Sequence, residues 1–200
     1  MSEKRKIWQN EYVKTAIMII VIVAVVFGFW YSSQLILNTE YPALAVASGS
    51  MCKVQHMHCD GWSHPFSHTL HVGDLIIVKG VDGADINAAP EPYGDIIVFR
   101  QPNGELIVHR AIDGTMEGGK WSFQTKGDGN DIPDSAWIPE DRVIGKVVMR
   151  VPWLGHLALF MHNSTGIFIV IILVVILVVL EFVIPAFSRK ESEPHTEETL

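Results

Sequence analysis

Three kinds of side chain in this sequence could act together as a nucleophilic centre. They are a hydroxyl in Ala-Ser48-Gly49-Ser50-Met, an imidazole at His109, and the carboxylates of Gly127-Asp-Gly-Asn-Asp-Ile-Pro-Asp134. A serine hydroxyl attacks a carbonyl usefully only when a base takes its proton, the base is held in one tautomer, and donors meet the oxyanion that forms. Ser50 is the candidate nucleophile, because Gly49 lets the chain turn sharply after the apolar stretch Ala43–Ala47. Each piece alone has an ordinary reading. Ser-Gly-Ser is common turn composition, a lone strand histidine is more often structural, and Asp-Gly-Asn is commonly a plain turn or a calcium-loop fragment. Asp128, Asn130 and Asp134 lack the glutamate that closes an EF-hand loop.

A second group of reactive residues follows the nucleophile turn directly: Cys52, His56, His58, Cys59, His64, His68 and His71, in a stretch with neither helical nor strand period. Imidazole and thiolate are preferred zinc ligands, but these spacings match no ligand pattern. A His-rich loop closed by a Cys52–Cys59 disulfide, or left with free thiols, is the reading favoured over a metal site. No metal and no other cofactor is expected.

These groups must be positioned by a small β domain between two membrane segments. Residues 16–37 are almost uninterrupted Ile, Val, Met, Ala and Phe, long enough at ~1.5 Å per residue to cross a ~30 Å hydrocarbon core. Lys4, Arg5, Lys6 and Lys14 precede this block, and Trp30 and Tyr31 lie near its far end. The positive-inside rule therefore puts residues 1–15 in the cytoplasm. Ala43-Leu-Ala45 and Ala45-Val-Ala47 also look like small-x-small cleavage sites, yet a signal-peptide core normally runs only ~7–15 residues, so an anchor is favoured. A second apolar block, 166–187, again has basic residues beyond it, Arg189 and Lys190, at the start of a cytoplasmic tail, 188–200, that is acidic from Glu191 on.

Residues 38–165, about 125 in number, suffice for one core. Val72-Gly-Asp-Leu-Ile-Ile-Val78 and Tyr93-Gly-Asp-Ile-Ile-Val-Phe99 repeat one pattern, a Gly-Asp turn leading into a β-branched strand. Gln101-Pro-Asn-Gly104 reads as a hairpin turn into a strand over 105–112 that carries His109, and Asp113–Gly119 reads as the next turn. Further strands are expected over 120–126 and 142–149. The fold class is thus mainly β, an antiparallel domain outside the membrane between two transmembrane helices. The chain carries a net charge of −7 and its basic residues are scattered, which excludes a nucleic-acid binder.

Read in order, Ser48-Gly-Ser-Met51, Gly73-Asp-Leu-Ile76, Val108-His-Arg-Ala-Ile112, Lys126-Gly-Asp-Gly-Asn-Asp-Ile-Pro-Asp134 and Val143-Ile-Gly-Lys146 resemble the boxes of type I signal peptidases. The likeness runs from the first helix to about Gly155. Bacterial members use a lysine base; His109 stands at that position here, as in the archaeal and endoplasmic-reticulum branch. A second membrane segment is more like archaeal members. The resemblance implies a serine endopeptidase with Ser50 as nucleophile and His109 as general base; two aspartates compete to orient the ring, the family pattern favouring Asp134 at the end of the box over Asp128. Asp128 would support the loop, and the Ser50 N–H with the Ser48 hydroxyl would meet the oxyanion. It implies as partners signal-peptide-bearing preproteins cut after small-x-small sites, the lipid bilayer, and the protein-export machinery. It places the catalytic domain on the extracytoplasmic side of a two-pass cell-membrane protein. The Cys52–His71 loop and Gly129 depart from the family pattern.

Overall fold

A computed structural model describes residues 11–53 and 69–190, with side chains over 13–53 and 69–180. His56, His58, Cys59, His64 and His68 lie outside the described residues. Two compact units divide at Gly155 and His156 and are taken separately.

The first unit begins with helix α1 (Glu11–Leu37). Within it, Val13–Leu37 is long and apolar enough to cross a membrane, and none of that stretch is buried against the protein. The helix end is tied to the domain that follows: Gly80 N–H donates to the Leu37 carbonyl at 2.8 Å, and the Thr39 hydroxyl donates to Ile144 O at 3.3 Å. Gly80 is required there, since any Cβ would collide with the Asn38 carbonyl.

Seven strands then form one antiparallel sheet: β1 (Ala43–Ala45), β2 (Leu75–Lys79), β3 (Ile96–Arg100), β4 (Leu106–Glu117), β5 (Lys120–Lys126), β6 (Ile138–Pro139) and β7 (Val143–Val151). Their spatial order is β1-β2-β7-β3-β4-β5-β6. The mainly β, antiparallel domain read from the β-branched runs is therefore observed. Alternation along β3 supplies both faces: Val98 and the partly buried Ile96 join Val46, Met51, Leu70, Ile76 and Val78, while Ile97 and Phe99 join Ile86, Ala111, Phe123 and Ile138.

The repeated Gly-Asp pattern has one structural meaning in both copies. Each aspartate accepts a backbone N–H from the loop before it (His71 N to Asp74 Oδ2, 2.8 Å; Asn87 N to Asp95 Oδ2, 2.9 Å). Each also pairs with a cation on β7, Arg150 for Asp74 at 2.6 Å and Lys146 for Asp95 at 2.9 Å.

One expectation fails. The chain does not turn over Asp113–Gly119; β4 runs on to Glu117, and only Gly118 and Gly119, at φ +59° and +81°, reverse it into β5. The strand absorbs Ile112 as a bulge between Ala111 and Asp113, so Asp113 and Gly114 pair with Gln124 and Phe123 instead of forming a loop. His109 is consequently an interior residue of a long strand.

In the second unit, α2 (Leu154–His162) meets α3 (Ser164–Lys190) at a break where the axis bends by 90°. Gly166 permits the tight corner, because a Cβ there would strike the Phe160 carbonyl. The α2 helix was not expected from sequence.

Phe123 is fully buried at the centre of its face of the sheet. Phe123→Ala should cost about 3–5 kcal/mol, read as a lowered unfolding midpoint of the detergent-solubilised chain.

Candidate active site

The turn that presents Ser50 is short and closed. Cys52 N–H donates to Gly49 O at 2.9 Å, leaving Ser50 and Met51 as the central residues of a β-turn. Met51 is buried and plugs the core, whereas Ser48 is exposed and Ser50 half-buried. The turn thus anchors one side chain and offers its neighbour. The Ser48 and Ser50 hydroxyl oxygens lie 3.3 Å apart.

His109 sits on β4 with Ile107 and Ala111 on the same face, its ring edge-on to Phe99 at 6.3 Å between centroids. Nε2 lies 3.1 Å from Ser50 Oγ and Nδ1 lies 2.7 Å from Asp134 Oδ2. The side chain is 10% exposed, so both ring nitrogens are served by protein groups. The structure brings Ser50, His109 and Asp134 into one hydrogen-bonded line. A carboxylate on Nδ1 selects the tautomer that leaves Nε2 free to accept the serine proton.

Asp134 is itself held. Its Oδ2 accepts the Thr125 hydroxyl at 2.6 Å, its N–H donates to Thr125 O at 2.8 Å, and its carbonyl accepts from Gln124 Nε2. The loop between β5 and Asp134 makes its own turn, Asn130 N–H to Gly127 O at 3.0 Å, and docks on the turn that carries Ser50 through Gly129 N–H to Ser50 O at 2.9 Å. Gly127 leaves room for that docking: a Cβ would come within 2.5 Å of Ser50 O and 3.0 Å of His109 Nε2. Gly129 likewise could carry no Cβ without striking the Cys52 carbonyl, which explains why glycine stands at this departure from the family pattern.

Asp128 is not beside the imidazole. It forms a bidentate pair with Arg110, Nε to Oδ1 at 2.8 Å and Nη2 to Oδ2 at 2.5 Å, while Arg110 Nη1 donates to Gly94 O at 2.5 Å. Both side chains are nearly inaccessible. Sequence reading missed Thr125 and the structural weight of Arg110. Thr125 had a usable signal, since it shares the inward face of β5 with Phe123 two residues earlier.

Cys52 is buried and disulfide-bonded, and Cys59 is the chain's other cysteine. Among the described residues no group of three or more His, Cys, Asp and Glu could hold a metal ion. His71 is instead fully buried beside Asp74, at 3.8 Å from Nδ1 to Oδ2.

Removing one partner of a buried ion pair strands the other charge. Arg110→Met should therefore cost about 3–5 kcal/mol, and Arg110→Met combined with Asp128→Leu should recover most of it; equal unfolding midpoints for Arg110→Met and the unaltered chain would contradict the pairing.

No family model matches the chain. Curated relatives do match. The signal peptidase complex catalytic subunit sec11 of Dictyostelium discoideum is 28% identical over 151 residues, covering 71% of this chain and 73% of the relative. The SEC11 subunit of Schizophyllum commune is 27% identical, covering 67% and 72%, and the human SEC11C subunit is 26% identical, covering 67% and 64%. At this modest identity, and in agreement with the resemblance carried by its motifs, the chain is similar to the Sec11 catalytic subunits of the signal peptidase complex.

Proposed function

We propose that this chain is a membrane-bound serine endopeptidase of the type I signal peptidase kind, which removes N-terminal signal peptides from exported preproteins after small-x-small sites. The observation that carries the reading is the line Ser50–His109–Asp134, with 3.1 Å and 2.7 Å contacts at the two ring nitrogens. Ser50 Oγ attacks the scissile carbonyl as its proton passes to His109 Nε2. Asp134 holds the ring and stabilises the imidazolium. The Ser50 N–H and the Ser48 hydroxyl face the developing oxyanion, each such donor being worth about 3–4 kcal/mol. The imidazolium then protonates the leaving amine, and water activated by His109 hydrolyses the acyl-enzyme.

A groove of about 210 Å³ runs beside Ser50 between Ala45–Ser48 and Glu105–Val108. Its walls include the alanines 45 and 47, and among the described residues β1 is the terminal strand of the sheet, with one edge unpaired. An extended peptide fits as an added strand, its small side chains entering the groove. The groove's limited volume supports selection of small residues before the cut.

The membrane arrangement follows from the same reading. Residues 16–37 and 166–187 cross the bilayer, 1–15 and 188–200 are cytoplasmic, and 38–165 form an extracytoplasmic domain of a two-pass cell-membrane protein. The apolar Val13–Leu37 stretch and the basic residues flanking each block support this topology. A preprotein's apolar segment in the same bilayer delivers its cleavage site to Ser50. The protein-export machinery is the natural neighbour of such an enzyme.

Cleavage of a preprotein in proteoliposomes should be abolished by Ser50→Ala, His109→Ala and Asp134→Ala, and reduced less by Asp128→Asn in whatever fraction folds. Full activity of Ser50→Ala would end the reading. Gly127→Ala should lower kcat at least a hundredfold without touching a reacting group, because the added methyl displaces Ser50 or the His109 ring; a kcat within threefold of the unaltered enzyme would contradict the close approach.

A further inference from the structure

Outside the Ser50–His109–Asp134 line lies a second buried polar assembly on the far side of the nucleophile turn. Its centre is the ion pair of Asp74 and Arg150, whose side chains are 0% and 14% exposed. The segment that it borders is unusual. Strand β1 ends at Ala45, so Val46–Met51, which carries both serines, has no strand neighbour among the described residues. Its two ends are held instead by one short span, Thr69–Asp74. Val46 donates its N–H to Asp74 O and accepts from Gly73 N–H, both at 2.9 Å; Met51 O accepts the Thr69 hydroxyl.

That span keeps its shape through Asp74 N–H to His71 O at 3.1 Å and His71 N–H to Asp74 Oδ2 at 2.8 Å. It leads directly into β2, and a guanidinium on β7 braces it. Arg150 on β7 places Nε 2.6 Å from Asp74 Oδ2 and donates from Nη1 to Thr69 O at 2.7 Å, gripping both ends of the span at once. Thr69 thus ties Met51 to a residue 18 positions further along the chain.

We propose that Arg150, through Asp74 and Thr69, is a positioning residue for Ser50: it clamps the Thr69–Asp74 span that holds Val46 and Met51, so that the turn between them keeps its register with His109. The proposal rests on Ser50 being the nucleophile. The other Gly-Asp copy supplies an internal control. Lys146 makes the equivalent β7 pair with Asp95, but that pair braces residues 87–95 and leaves Val46–Met51 untouched.

The test measures kcat and KM for preprotein cleavage by the full-length chain in proteoliposomes, corrected for the folded fraction. Arg150→Met should lower kcat at least tenfold with KM within twofold, Arg150→Lys should restore kcat to within threefold, and Lys146→Met should leave both constants unchanged. Thr69→Val, which keeps both charges, should lower kcat about threefold. Equal kcat for Arg150→Met and Lys146→Met, or a loss that vanishes on correction for folding, would overturn the clamp. Should Arg150→Met fail to fold, an unchanged kcat in Thr69→Val overturns it. Cleavage that survives Ser50→Ala would instead remove the nucleophile assignment, and the clamp with it.

Discussion

The structure depends on keeping one imidazole hydrogen-bonded at both nitrogens. His109 needs Ser50 on one side and Asp134 on the other, from segments 59 and 25 residues away in sequence. Neither partner lies on a strand. Each is brought to the ring by a turn whose backbone groups are tied elsewhere: Ser50 O to Gly129 N–H, and Asp134 N–H to Thr125 O. Because those two ties share the Gly127–Asp134 loop, Ser50 and Asp134 are positioned by one piece of chain. Leaving either ring nitrogen unpaired in a site this enclosed would cost about 1–3 kcal/mol, which favours closure of the whole line.

Rigid strands and irregular turns divide the work. Strand β4 holds His109, with Phe99 against its ring and β3 and β5 on either side. The turns hold the groups that must approach it, and buried charge does what a β ladder would do elsewhere. Arg110 pins Asp128 in one loop, and Arg150 pins Asp74 in the other. Such pairs are costly to desolvate but have a single good geometry, which suits segments lacking ladder hydrogen bonds. The two Gly-Asp repeats are therefore devices for fastening loops to β7.

Much of this was legible in sequence, for reasons that also explain what was not. The β-branched runs after each Gly-Asp, and the run at 120–126, are strands because β3 packs side chains on both faces of the sheet while β2 and β5 each bury alternate residues on one. The turn expected at Asp113–Gly119 failed because Asp and Gly are turn residues by local preference, whereas pairing with Gln124 and Phe123 and a bulge at Ile112 overrode it. Helix α2 was invisible, since nine mostly apolar residues show no amphipathic period to read. At the site, residue types alone left Asp128 and Asp134 equivalent. They separate only in three dimensions, where Arg110 takes the first and Thr125 turns the second toward the ring. The close approaches at Gly127 and Gly129 were likewise hidden, because a glycine in an Asp/Gly/Asn loop looks like ordinary turn composition.

The central claim is that Ser50 is acylated by a peptide ending in small residues. It is tested most directly by treating the full-length enzyme in proteoliposomes with a peptidyl phosphonate diester whose sequence ends Ala-x-Ala, and locating the covalent adduct by mass spectrometry. The account predicts stoichiometric modification of Ser50, in step with loss of preprotein cleavage. Inhibition with the adduct on another residue, or unimpaired cleavage by enzyme fully modified at Ser50, would contradict it.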